Sequence, residues 1–138
     1  MLPMAITSLS RDKSTFMLPS NYNYSVEELI LDGAESPYSK WFRQLSPDVA
    51  AKVVTAKLRM QLGNFCNVDW FRGIGEYKIH YGSGWRIYIA KEGDRIIVLL
   101  GGGSKKRQQN DIERAVALWK EYKQLKTARR ISKDQGRE

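Results

Sequence analysis

Residues 77–89 read YKIHYGSGWRIYI, and this stretch decides the fold. Apolar side chains occupy every second position on both sides of a glycine-rich turn: Tyr77, Ile79 and Tyr81 before it, and Trp85, Ile87 and Ile89 after it. A period of two is typical of strands that bury one face. Two such runs around a short turn predict an antiparallel hairpin.

The register of this hairpin follows from its apolar faces. These faces coincide only if the turn holds an odd number of residues, because a slip of one residue moves a strand's apolar set to the opposite face. A three-residue turn at 82–84 places Lys78 opposite Tyr88 and His80 opposite Arg86. The four polar side chains then share an exposed face, and removal of the Arg86 side chain is expected to leave the fold intact.

The segments around the hairpin predict an α+β domain with the order βααβββα. Residues 26–32 have the composition of a first strand, and Ser36-Pro37 and Ser46-Pro47 are start signals for two helices. The second helix is expected to reach Leu62 and, being apolar on two sides, to be covered on both. The other expected elements are a strand at 95–100 that ends at glycines 101–103, a helix at 106–126, and a loop or short strand at Trp70 and Phe71.

Composition predicts one domain at 25–126, after an irregular N-terminal extension at 1–24 and before a basic tail at 127–138. Lys and Arg number 23 against 15 Asp and Glu, which gives a net charge of +8 and favours an anionic partner such as nucleic acid. A single cysteine, Cys66, and a single histidine, His80, provide neither a disulfide nor a zinc cluster, so no metal or cofactor is expected. No long apolar run is present, and we expect a cytoplasmic protein without membrane contact.

The polar face of the hairpin is the first candidate site. Lys78 and Arg86 supply two cations, and His80 and Tyr88 supply an imidazole and a phenol, which together suit the binding and cleavage of a phosphodiester. The same alternation is typical of any solvated sheet face, and spacing alone favours that interpretation. The GGGSKK segment at 101–106 is not a P-loop, but its two lysines add positive charge for an RNA backbone.

Several blocks of sequence, in this order, resemble a known family of toxins. They are LGNF at 62–65, EYKI at 76–79, YGSGWRIY at 81–88 and LLGGGSKKRQQNDI at 99–112. Together they are similar to the "addiction module killer" branch of the RelE/ParE superfamily, also called phage-derived Gp49-like or HigB-like. The similarity extends over roughly residues 26–126.

This resemblance implies two N-terminal helices packed on a twisted, mainly antiparallel sheet, with a C-terminal helix. It further implies the toxin of a type II toxin-antitoxin module, a metal-independent endoribonuclease that cuts mRNA on the ribosome. A cognate antitoxin, often a helix-turn-helix protein, would neutralise it. Two alternatives stay open: a non-enzymatic DNA gyrase inhibitor of ParE type, and a plain RNA-binding domain.

Carried over by position, the resemblance implies catalytic roles for Arg86, Lys78 and His80. It implies RNA or phosphate binding for Lys105, Lys106 and Tyr88. A tyrosine of the RelE C-terminal helix has no counterpart in the NDI segment at 110–112. His80 is therefore the leading candidate for the general base, because imidazoles exchange protons near neutral pH.

Overall fold

The computed structural model describes residues 23–135, which form five strands, three α-helices and a short 3₁₀ turn. In chain order these are β1 (Ser25–Glu28), α1 (Pro37–Phe42), α2 (Pro47–Gln61), β2 (Val68–Phe71), β3 (Ile74–Ile79), β4 (Trp85–Glu92), β5 (Ile96–Ser104), the 3₁₀ turn (Lys105–Arg107) and α3 (Gln108–Gln135). The predicted α+β class is confirmed. The predicted order lacked one strand, β2.

The five strands form one mixed sheet in the order β1-β5-β4-β3-β2. Strands β2 to β5 are an antiparallel meander, whereas β1 pairs in parallel with β5, with Ser25 beside Ile96. A parallel pair needs a crossover connection, and α1 and α2 lie within the segment that links β1 to the rest of the sheet.

The sheet has a hydrophobic core on each face, because side chains alternate along every strand. One core joins the sheet to α1 and α2; its buried residues include Tyr38, Val49, Val53, Met60, Tyr77, Ile87, Ile89, Ile97 and Leu99. The other joins the sheet to α3; its buried residues include Leu29, Ile74, Tyr88, Ala90, Val98, Leu100, Ile112, Ala115 and Trp119. The predicted hairpin is thus the middle of a three-layer arrangement.

Two predicted strand boundaries were wrong. Strand β1 ends at Glu28 and not at residue 32. Strand β5 does not stop at the glycines but continues through them to Ser104. A side chain at Gly102 would place its Cβ 2.4 Å from ring atoms of Trp41. These glycines therefore let α1 approach the sheet, and they do not break the strand.

The helices also differ from the prediction. The second apolar side of α2 is uncovered in the described part of the chain, with Val54, Leu58 and Leu62 exposed. Helix α3 extends to Gln135, past the expected end at residue 126. Within residues 23–135, no helix combines the length and the apolar character needed to cross a membrane.

The predicted N-terminal extension lies almost entirely outside the described residues. Its last two residues are tied to the end of α2, because the backbone amides of Asn23 and Tyr24 both donate to the carbonyl of Gln61, at 2.9 and 3.0 Å. The Tyr24 ring packs edge-on against Phe65, with centroids 5.0 Å apart. Asn23 and Tyr24, which precede the predicted boundary at 25, therefore pack against the domain.

Candidate active site

The hairpin register differs from the prediction by two residues. Lys78 lies directly opposite Arg86, and Ile79 opposite Trp85, so the connection runs from residue 80 to 84. The turn is closed inside this loop by a hydrogen bond of 3.0 Å from the Gly84 amide to the Tyr81 carbonyl. Because the number of loop residues is still odd, Lys78, Arg86 and Tyr88 share one face as expected.

The loop and the strand ends enclose an open concavity of about 410 Å³. Four predicted site residues line it together: Lys78, His80, Arg86 and Lys105. Lys105 is held there by its backbone amide, which donates to the Gly84 carbonyl at 3.1 Å. The strand ends thus bring together three cations and the imidazole of His80.

The other two predicted site residues are not part of this lining. Lys106 is exposed on the 3₁₀ turn beside it. Tyr88 is only 1% exposed and lies under the concavity, with its hydroxyl directed to Glu76 at 3.3 Å. A direct contact between Tyr88 and an RNA phosphate is therefore not available in this structure.

Arg86 lines the concavity but is buried, with 8% exposure, which corrects the expectation of an exposed side chain. Its Nε lies 3.6 Å from Oε2 of Glu76, a carboxylate that is itself 3% exposed. The same oxygen accepts hydrogen bonds from Tyr88 and from Gln108 Nε2, the latter at 2.8 Å. We call these four side chains the Glu76 cluster.

Gly84 leaves room beside it for the side chains of Arg86 and Lys105, which also line the concavity. Its φ of +99° lies in the left-handed region, which side chains rarely adopt. A Cβ at this position would lie 3.2 Å from Nη1 of Arg86 and 3.4 Å from Cβ of Lys105. Both the backbone angle and the close approach of these two side chains to position 84 therefore favour glycine here.

Burial raises the pKa values of two side chains, Tyr88 and Asp111. Burial and the nearby carboxylates of Glu76 and Asp111 raise the pKa of Tyr88, so its phenol stays protonated and donates. Burial also raises the pKa of Asp111, against the opposing effects of Arg114 and Arg107. Oδ2 of Asp111 is buried and makes no hydrogen bond within the described part of the chain.

Lys78 is balanced by a carboxylate from β2, the strand that the predicted order lacks. Its Nζ lies 2.5 Å from Oδ2 of Asp69 on β2. Like charges directly opposite each other in a sheet are unfavourable, so Lys78 and Arg86 each need a carboxylate nearby. Asp69 and Glu76, which are themselves cross-strand partners, supply one to each cation.

The loop that carries His80 is anchored on α2. The Tyr81 hydroxyl donates to Oδ2 of Asp48 at 2.8 Å, and Lys52 Nζ lies 5.1 Å from the centroid of the Tyr81 ring. Hydrogen bonds from Ser46 and Tyr81 lower the pKa of Asp48, so this carboxylate stays ionised to more acidic pH. His80 itself is exposed, but the next residue, Tyr81, is held on α2 by these contacts.

A curated protein of Haemophilus influenzae (strain ATCC 51907 / DSM 11121 / KW20 / Rd), named as an uncharacterized protein, is similar to this chain. The two are 33% identical over 86 residues, which cover 61% of this chain and 87% of that protein. The chain belongs to the family of this Haemophilus protein. No protein-family profile and no solved structure matches it significantly. The name of the Haemophilus protein states no activity.

Sequence reasoning missed the carboxylates and the amide that support the cations. Glu76 and Lys78 are two residues apart in β3, so their side chains lie on the same face of the sheet. This spacing was the available signal for placing Glu76 beside the cations. Asp69 and Gln108 carried no comparable signal, because Asp69 lies on β2, which the predicted order lacks, and Gln108 lies on a separate element, α3. Within residues 23–135, no group of His, Cys, Asp and Glu is arranged to hold a metal ion.

Proposed function

We propose that this chain is the toxin of a bacterial toxin-antitoxin module, with a RelE/ParE-like fold, and that it cleaves mRNA on the ribosome. The observation that carries the proposal is the concavity in which Lys78, His80, Arg86 and Lys105 meet. Cations on rigid strands attract and orient the phosphates of an RNA backbone. The net charge of +8 favours the same class of partner.

In the proposed reaction, the ribose 2′-oxygen forms a bond to the adjacent phosphorus while the bond to the 5′-oxygen of the next nucleotide breaks. The products are a 2′,3′-cyclic phosphate and a 5′-hydroxyl; the leaving 5′-oxygen takes its proton from solvent, to which the concavity is open. His80, exposed at the rim, accepts the proton of the attacking hydroxyl. Arg86 and Lys78 stabilise the negative charge that develops on the phosphoryl oxygens. Lys105 and Lys106 bind flanking phosphates.

The proposed cellular setting follows from the resemblance of the sequence blocks. Two helices before an antiparallel meander and a helix after it are compatible with the RelE/ParE arrangement. We propose a cytoplasmic protein that a cognate antitoxin, with a helix-turn-helix domain, keeps inactive. Free toxin would arrest translation by destroying ribosome-bound messages.

The test is cleavage of a ribosome-bound message by purified variants. Arg86→Lys keeps a charge beside Glu76 but lacks the planar, bidentate fork, and we expect cleavage to fall by about 100-fold, as when one preorganised donor is removed. Lys105→Ala should weaken RNA binding and reduce the salt slope by about 1. Lys120→Ala, which removes an exposed lysine of α3 that does not line the concavity, is the matched control.

The outcomes separate the candidate functions. Undiminished cleavage by folded Arg86→Lys protein would contradict the site assignment. If wild-type protein cuts no message but causes double-strand DNA breaks in cells, the gyrase inhibitor replaces the nuclease. If it does neither and still binds RNA, the chain is an RNA-binding domain.

A further inference from the structure

The Glu76 cluster lies directly beneath the concavity and has a feature that stability alone does not explain. Glu76 is a carboxylate with 3% exposure, and ionised groups are costly to bury. Its Oε2 faces Arg86, Tyr88 and Gln108 at 3.6, 3.3 and 2.8 Å. A buried ion pair of this kind usually contributes no more stability than a well-packed apolar pair would.

The geometry of Arg86 indicates what the cluster does. The Nε edge of the guanidinium faces Glu76, and Nη1 lies beside Gly84, 3.2 Å from the position that a Cβ of that residue would take. Nε is buried and makes no hydrogen bond to any described residue, so attraction to Glu76 is the contact that orients this edge. The terminal nitrogens are the part of Arg86 that is left for a ligand.

We propose that Glu76 is a positioning residue, which fixes the Arg86 guanidinium so that its terminal nitrogens face an RNA phosphate. This inference rests on the proposed nuclease function. Glu76 is itself held from two directions, by the Tyr88 hydroxyl on β4 and by Gln108 at the start of α3. Helix α3 therefore contributes to the site through Gln108, although that side chain does not line the concavity.

Kinetics of paired variants test this role. Glu76→Gln should lower kcat for message cleavage by about 100-fold, since a misplacement of about 1 Å costs that much, with little change in KM. In an Arg86→Lys background, Glu76→Gln should lower kcat by less than about threefold, because Glu76 acts through the guanidinium that this background lacks. Equal losses in both backgrounds would show that Glu76 acts independently of Arg86, and the proposal would be wrong. Glu113→Gln, an exposed glutamate on α3, is the matched control.

Gln108→Ala keeps the test usable if Glu76→Gln does not fold. Gln108 is half-buried at the start of α3, and its loss removes one donor to Glu76 without burying a new charge. We expect a tenfold fall in kcat that again disappears in the Arg86→Lys background. An unchanged kcat in folded Gln108→Ala protein would contradict the support that α3 is proposed to give.

A spectroscopic measurement separates this inference from the nuclease function. The Nε–H resonance of Arg86, assigned by its loss in Arg86→Lys, reports the motion of the guanidinium. We expect an ordered signal in the wild type and a mobile one in Glu76→Gln and Gln108→Ala. A signal equally mobile in all three proteins would overturn the positioning role. An ordered signal in a wild type that cuts no RNA would overturn the nuclease function and leave the positioning of Arg86 supported.

Discussion

Replacing Arg86 with alanine is expected to destabilise the folded protein as well as disable the site. The substitution removes the guanidinium from a pair whose side chains are 10% and 3% exposed, and leaves the Glu76 carboxylate buried without a cation. Breaking a buried pair in this way typically costs 3–5 kcal/mol. Tyr88 and Gln108 still donate to Glu76, so we expect the lower end, about 3 kcal/mol.

The assay is urea denaturation at neutral pH, followed by tryptophan fluorescence and circular dichroism. With the slope of about 1–3 kcal/mol per M that is typical of small proteins in urea, such a loss lowers the urea midpoint by about 1–3 M. The double variant Arg86→Met with Glu76→Leu should recover much of the stability, because it removes both charges. The control is Arg72→Ala, which breaks an exposed ion pair with Glu113 and should change the midpoint little. A wild-type midpoint for Arg86→Ala would refute the assignment of a buried pair.

Three further predictions follow from other parts of the molecule. Gly102→Ala should lower the free energy of unfolding by about 2 kcal/mol, because the added Cβ would overlap the Trp41 ring. Thermal denaturation measures this loss, and the loss should be smaller in a Trp41→Leu background. Burial raises the pKa of Asp111 in the folded protein, so its charged form costs stability above that pKa. Asp111→Asn should therefore raise the urea midpoint at pH 7, with a gain that shrinks as pH falls towards 3.8; parallel pH profiles would contradict it. A protein shortened to begin at Met17 should keep its Tm and its RNA cleavage, and a large loss of either would show that residues 1–16 are needed.

The central hairpin was predictable because its pattern is local. The alternation of apolar residues fixed which side chains share a face, and Lys78, Arg86 and Tyr88 share one as expected. The exact register was not predictable, because any odd loop length satisfies the same alternation. The loop of residues 80–84 depends on tertiary contacts such as Tyr81 with Asp48, which no local pattern encodes.

Strand β2 and the burial of Arg86 were missed for two different physical reasons. Strand β2 is four residues long and turns into β3 at Arg72 and Gly73, whose φ values are both positive. The Arg-Gly pair is not one of the common signals for such a turn. The burial of Arg86 was missed because the hairpin face that carries it was predicted to be exposed, whereas α3, a helix distant in sequence, packs on that face.

The parallel pairing of β1 with β5 has a consequence for the order in which the chain acquires its structure. Strands β2 to β5 pair with sequence neighbours, so their loops close at low entropic cost. Strand β1 leaves the ribosome first, yet its partner at Ile96 is synthesised only after both N-terminal helices and three strands. We expect the meander to form first and β1 to join last. The sheet of the nascent chain therefore lacks its β1 edge strand until β5 is made.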